Sequence, residues 1–326
     1  MRIRKPLLTG PPRTVMVVRL GAMGDVLHAL PAVACLKRSF PDCRLTWVIA
    51  PRWVPLLDAN PYVDEVLPFN RKSLRDLRRA VHALRALKPD LAVDFQGLIQ
   101  SAVVARLARP RRLVGFGKKA VRERLAAGLY KAHVEPYATH VVDRNLELAA
   151  ACGARLERIE FPIPAGASEG QLPEAPFVLA SPFAGWPGKQ WPLNYYGELA
   201  KLLAERQITL VTNVAPERAT ELSGIPNLQT HVSSLAGLID ATRRAAGIVG
   251  LDSGPMHLAA ALSKPGVALY GPTDPVRNGP YGGTIRMLRA PGVQTSWKRT
   301  GEVHWSMQAL EPQHVFHTLL EAMGIA

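Results

Sequence analysis

The chain has 326 residues, room for two ordinary domains with a core each, and its apolar fraction of 48% is that of a soluble globular protein. No apolar run reaches the length of a membrane-spanning helix, and the basic start MRIRKPLLTGPPRT has too short an apolar stretch for a signal peptide, so residues 1–13 are expected to be a flexible lead-in. The net charge of +14 sits in one half: residues 1–160 carry 28 basic against 14 acidic side chains, residues 161–326 carry 12 against 12.

Within the basic half, residues 71–131 hold 16 basic and 4 acidic side chains. Such a patch concentrates an anionic partner, whether nucleic acid, an anionic membrane face or an acidic substrate; the alternative is the solvated surface of a high-pI protein. The chain has no aromatic-rich basic segment and no recognisable reading module, which weighs against nucleic acid. Cys35, Cys43 and Cys152 show no paired spacing and are expected to be buried thiols in a reducing cytoplasm.

In chain order, 15–18 predicts a buried strand, followed by the turn Gly21-Ala22-Met23-Gly24 and a helix from about Asp25. Strands are predicted at 45–49, 63–67 and 91–95. Between the last two, Leu74, Leu77, Val81 and Leu84 recur at spacings of three and four, which predicts an amphipathic helix over 73–88 with an Arg-rich outer face. Residues 140–152 predict another helix, closed by Gly153. The stretch 162-PIPAGASEGQLPEAP-176 breaks the rhythm, and 166–176 is the expected linker between an N-terminal domain at 1–165 and a C-terminal domain at 177–326. The alternation restarts with strands at 177–180, 208–211, 247–251 and 267–270 and helices at 194–206, 234–245 and from Gly254. This is an α/β pattern: two Rossmann-like parallel-sheet domains, expected to face each other across a cleft where ligands bind.

Four segments carry chemistry. In 19-RLGAMGDVLHALPA-32, two glycines close a tight turn after the first strand and Asp25 falls at the mouth of the helix. Asp25 is either a helix N-cap or a carboxylate able to act as general base. Strand, then 252-DSGP-255, then helix presents unpaired N–H groups and a positive helix end to an anion, with Pro255 suited to the first turn. His257 lies about one turn in from Ser253, as a further phosphate donor or as a structural histidine. In 181-SPFAGWPGKQWP-192, Lys189 is the only charge, held for an anion or simply solvated. Glu217, after 210-LVTNVAP-216, either accepts from a ribose hydroxyl or is an ordinary first-turn acid. Neither half has the Gly-x-Gly-x-x-Gly spacing of a dinucleotide site, which disfavours an NAD-dependent dehydrogenase.

Together these segments resemble the heptosyltransferases of glycosyltransferase family 9, inverting enzymes of the GT-B fold that use nucleotide-sugars. The resemblance is carried by RLGAMGDVLHALPA, 93-VDFQGLIQSA-102, 140-HVVDRNLELA-149, 189-KQWP-192 and 252-DSGPMHLAAALSKPGVALYGPTDP-275. The second and third look most like the branch that adds the first heptose to the Kdo of the lipopolysaccharide inner core. The resemblance implies an ADP-heptose donor, a Kdo-lipid A acceptor and a peripheral position on the cytoplasmic face of the inner membrane. It implies Asp25 as catalytic base, Lys189 on the donor diphosphate, Glu217 near the ribose, and Asp252, Ser253, Gly254 and His257 as the donor loop. It implies no metal and no cofactor beyond the donor, and no nucleic-acid partner. Lys118, Lys119, Arg122 and Arg124 are the expected acceptor anchors, with the 73–88 helix as a second basic surface. The loop before Lys189 reads Phe-Ala-Gly-Trp-Pro-Gly where that branch carries hydroxyl and acidic residues, so Ala184 and Gly185 offer phosphate only their backbone. A relative using another nucleotide-sugar or a later core acceptor is the alternative.

Overall fold

A computed structural model describes residues 10–325. The chain divides into two compact units between Pro164 and Ala165, inside the Pro- and Gly-rich stretch 162–176, which holds no helix or strand.

The first unit runs β1 (Thr14–Val18), α1 (Met23–Ser39), β2 (Arg44–Ile49), β3 (Glu65–Pro68), α2 (Leu74–Leu87), β4 (Leu91–Asp94), α3 (Ile99–Leu107), β5 (Arg112–Phe116), β6 (Ala132–Val134) and α4 (Val141–Ala151). The strands form one parallel sheet in the order β3-β2-β1-β4-β5-β6. Val15 to Val18 are all buried, as a central strand covered on both faces requires. Helix α1 buries every residue from Val26 to Leu36, so it packs as a core element and not as a surface helix.

The second unit runs β7 (Phe177–Ala180), α5 (Leu193–Ala204), β8 (Thr209–Val214), β9 (Gln229–Val232), α6 (Leu235–Arg244), β10 (Gly247–Leu251), α7 (Gly254–Ala261), β11 (Gly266–Tyr270), α8 (Pro275–Asn278), β12 (Ile285–Arg289), α9 (Trp305–Gln308) and α10 (Pro312–Met323). Its parallel sheet has the order β12-β11-β10-β7-β8-β9. Counted from the unit's own start, that is again 3-2-1-4-5-6. The winding direction therefore reverses between β1 and β4 in one sheet and between β7 and β10 in the other, and ligands of open α/β sheets bind outside the carboxyl ends of the strands at that point. The core of this unit gathers Trp191, Tyr196, Leu199 and Leu203 of α5 and its approach against Val315, Phe316, Leu319 and Leu320 of α10. Each large apolar side chain so enclosed contributes roughly 1.5–3 kcal/mol.

The structure departs from the sequence expectations in places. Helix α1 begins at Met23, two residues ahead of Asp25. Leu74 is 74% exposed and does not belong to the packing face of α2, which is made by Ala80 and Leu84 with Leu77 and Leu87 beside them. The elements α3, β5, β6, β9, α8, β12, α9 and α10 come in addition to those expected. The three cysteines are buried free thiols, and burial pushes that of Cys152 up to about 12. Among the described residues, no helix is long and apolar enough to cross a membrane.

Candidate active site

At the carboxyl end of the second sheet, the loop leaving β7 closes in a short 3-10 turn, Pro187–Lys189, and the loop leaving β10 runs through Asp252 and Ser253 into α7. Lys189 is only 9% exposed. Its ammonium pairs with Asp252 Oδ2, donates to the Asp252 carbonyl at 3.1 Å and lies 4.3 Å from the centre of the Trp186 ring. Thr273, from the loop after β11, donates to the same Asp252 oxygen at 2.8 Å. Three strand exits thus converge on one lysine–aspartate pair beside the reversal of strand order.

Ser253 is the N-cap of α7 but makes no side-chain cap bond, and its Oγ is buried with no partner among the described residues. The Ser253 side chain thus leaves the start of α7 without a side-chain cap. His257 sits in that turn, 7% exposed. Burial and the charge of Asp252 push the Tyr270 phenol up, so it stays protonated beneath the pair. Arg218, from the segment after β8, stacks over the Phe183 ring at 3.5 Å and ties that segment to the β7 loop.

At the carboxyl end of the first sheet, the exit of β1 is held by the exit of β4. Leu20 N–H donates to Gln96 Oε1 at 2.7 Å, and Gln96 N–H donates to Asp94 Oδ1 at 2.8 Å. Asp94 is fully buried and also accepts from Ser101 Oγ and Tyr130 OH, each at 2.8 Å. Burial pushes its carboxyl above the ordinary range, against the pull of the donors around it. Gly21 has φ +146°, and a Cβ there would stand 2.5 Å from Trp53 Nε1, so only glycine lets the chain turn against that ring.

Asp25 is the third residue of α1. One carboxylate oxygen accepts from Ala22 N–H at 3.0 Å; the other lies 2.6 Å from Arg19 Nη2. Ala22, not Asp25, occupies the N-cap position. The guanidinium is 7% exposed and the carboxylate 44% exposed, so Arg19 grips Asp25 from beneath while leaving it open to solvent. Arg19 also donates to the Phe95 carbonyl, which locks its direction to the β4 exit. A carboxylate fixed in direction yet accessible can receive a proton from a hydroxyl in line with it.

A family model described as glycosyltransferase family 9 (heptosyltransferase) matches residues 77–302. Lipopolysaccharide heptosyltransferase 1 of Pseudomonas aeruginosa PAO1 is 31% identical over 294 residues, 82% of this chain and 81% of that protein. The structure of Escherichia coli heptosyltransferase WaaC with ADP superposes with a TM-score of 0.78 at 27% identity, covering 95% of this chain and 99% of that one. The same enzyme with ADP-2-deoxy-2-fluoro heptose gives 0.75 at 27% identity, covering 93% and 98%. The chain belongs to glycosyltransferase family 9.

In this family 9 glycosyltransferase, built from two Rossmann-like domains of the GT-B type, Lys189, Asp252, Ser253, Gly254 and His257 gather at one strand end of the second sheet. Lys189 is buried and paired there, not solvated. Glu217 stands on the neighbouring exit, exposed in the first turn of the 3-10 helix Pro216–Leu222, and makes no hydrogen bond to that group. Lys118, Lys119, Arg122 and Arg124 are exposed on the segment after β5, and the Lys119 N–H donates to Glu135 Oε1 at 3.3 Å.

Sequence reasoning gave no role to Arg19, Asp94, Gln96, Trp186 or Thr273, though each lies in a quoted segment. A signal was present for two of them. Arg19 is a charge at the end of an apolar strand, and Asp94 is a carboxylate inside another; both positions demand a buried partner.

Proposed function

We propose that this glycosyltransferase moves heptose from ADP-heptose to the Kdo of lipid A, with inversion at the anomeric carbon. The observation that carries the reading is the buried Lys189–Asp252 pair at the mouth of α7, beside the strand reversal, in a chain similar over 95% of its length to an enzyme whose structure holds ADP. The donor diphosphate lies against Lys189 and the free N–H groups of the first turn of α7, which offset the negative charge that grows on the departing ADP. His257 adds a donor to phosphate, and Glu217 accepts from the ribose. Asp25, aimed by Arg19, removes the proton of the acceptor hydroxyl as it attacks from the face opposite the nucleotide. Charge stabilisation comes from the chain's own cation and dipoles, so transfer proceeds without metal.

The basic half of the chain supports an acceptor rich in phosphate and carboxylate, held by the first domain through Lys118, Lys119, Arg122 and Arg124. The acceptor places the protein peripherally at the cytoplasmic face of the inner membrane. Calorimetric titration with ADP, UDP, GDP and NAD, without added metal, tests the donor. Selective binding of ADP, followed by transfer to Kdo-lipid A, is the expected result. Preference for UDP or GDP replaces the sugar; absence of all binding removes the donor site.

A further inference from the structure

Between β12 and α9, residues 290–304 hold no helix or strand. A connection of about 15 residues without secondary structure is uncommon in a compact domain unless it binds something. This one is pinned. At the β11 exit, Ser296 N–H donates to the Pro272 carbonyl at 2.8 Å. Arg289, the last residue of β12, donates from Nε to the Gly271 carbonyl and from Nη2 to Thr295 Oγ1, each at 3.2 Å. Further on, Lys298 N–H donates to Ser296 Oγ at 3.2 Å and Thr300 Oγ1 to the Glu302 carbonyl at 3.0 Å. The segment then lies on the turn Pro187–Lys189, where a Cβ on Gly188 would collide with the Thr300 hydroxyl. It is a strap, fixed at the β11 exit and laid against the β7 exit.

The strap brings Arg299 to Trp186. The guanidinium lies 5.6 Å from the ring centre, and the Lys189 ammonium lies 4.3 Å from the same centre. The two charges are therefore at most about 10 Å apart, roughly one Debye length at moderate salt, and they act on each other. They differ in what answers them. Lys189 is closed by Asp252, whereas Arg299 is exposed and makes no ion pair with a described acid. Trp186 Nε1 is also buried with no partner among the described residues. An unanswered cation and an unused N–H at one ring suit an acceptor that carries negative charge.

Lys189 and Asp252 together are close to neutral, and the start of α7 contributes only about half a positive charge. A nucleoside diphosphate-sugar brings a negative charge on each phosphate, and more develops as the bond to the sugar breaks. We propose that Arg299 is the second cation of the donor site, its guanidinium directed by the Trp186 ring onto the diphosphate charge that the paired Lys189 leaves unanswered. The planar fork of N–H donors matches phosphate oxygens, which Ala184 and Gly185 of the β7 loop can meet only through the backbone. An exposed arginine by itself holds a small anion weakly, so Arg299 acts on a ligand already seated at Lys189. The inference rests on the donor reading above, and its test separates the two.

The test is calorimetric titration of the full chain and its variants with ADP. Arg299→Met keeps an unbranched stem for the ring but no charge, and should lower ADP affinity about 10- to 100-fold, the size of a hydrogen bond between charged groups. Arg299→Lys should retain most of the affinity. Were Arg299 only packing on the indole, Arg299→Met would bind as the unaltered chain does. Lys298→Ala, at an exposed neighbour with no ring contact, should leave ADP affinity unchanged. Urea midpoints should be the same for all, because the substituted side chains are exposed. Added salt should weaken ADP binding to the unaltered chain more steeply than to Arg299→Met. Native affinity in Arg299→Met, an equal loss in Lys298→Ala, or one salt slope for both overturns the inference and leaves the donor reading standing. Absence of ADP, UDP and GDP binding alike by the unaltered chain sinks the donor reading, and this inference with it.

Discussion

The two sheets repeat one strand order, yet their carboxyl rims are furnished in opposite ways. The second collects its chemistry in a buried, mutually neutralising pair, Lys189 with Asp252, inside a half whose charges cancel. The first keeps one gripped carboxylate, Asp25, exposed among many unpaired cations and outward-facing apolar tips. One rim closes its charges into fixed contacts, the other leaves its carboxylate and cations open to solvent. The same winding accommodates both, because it fixes where the strand exits lie and leaves open what they carry.

The comparison can be broken at several points. Asp25→Ala should lower turnover by about 10²–10⁴-fold with ADP affinity unchanged, since a base acts in the chemical step. A parallel loss of ADP affinity in calorimetry would make Asp25 a helix-start residue only. Lys189→Ala should both weaken ADP binding and cost about 3 kcal/mol of stability, because Asp252 is left buried without its cation. The double change Lys189→Met, Asp252→Asn should regain urea resistance without regaining ADP, which separates the structural part of the pair from the ligand part.

Asp94→Ala should cost about 3 kcal/mol, as two hydroxyls and two N–H groups lose a buried acceptor. The pH dependence has a definite sign. Folding raises the Asp94 pKa, so at pH values between the ordinary and the raised value the native state binds more protons than the unfolded chain. Stability from this group is full below the ordinary carboxylate pKa and declines as pH rises through the raised value. Urea midpoints from pH 4 to 8 should therefore show the native chain losing ground relative to Asp94→Asn. Arg19→Gln should lower turnover about 10- to 100-fold with ADP affinity intact, and Arg19→Lys should recover part of it. An unchanged rate would show that the grip on Asp25 is dispensable. The smallest effect is that of Glu217→Gln, about a few-fold in ADP affinity, the size of one exposed hydrogen bond.

The central strands were legible because a parallel strand covered on both faces must be an apolar run, as 15–18, 177–180 and 247–251 are. Edge strands lack that demand: β9 reads Gln-Thr-His-Val and β6 only three residues, so nothing in their composition announces them. Leu74 misled because a spacing of three counts a residue as inward whether or not the helix has yet come under the sheet. In the site, positions at strand exits could be named from sequence, but their partners could not. Lys189 meets Asp252 across 63 residues, and Leu20 meets Gln96 across 76. Whether a lone loop lysine is solvated or buried is decided by that distant carboxylate and by the Trp186 ring, not by its neighbours in the chain.

The pairing of Lys189 also bears on which anions the second rim ignores. With its charge already answered by Asp252, the lysine exerts little net field on chloride or inorganic phosphate. To reach it, a ligand must exchange places with a carboxylate that Thr273 holds still, and a small ion has nothing further to offset that exchange. A nucleotide arrives with a base, a ribose and two linked phosphates. The rim is therefore quiet toward abundant simple anions and responsive to a scarce composite one.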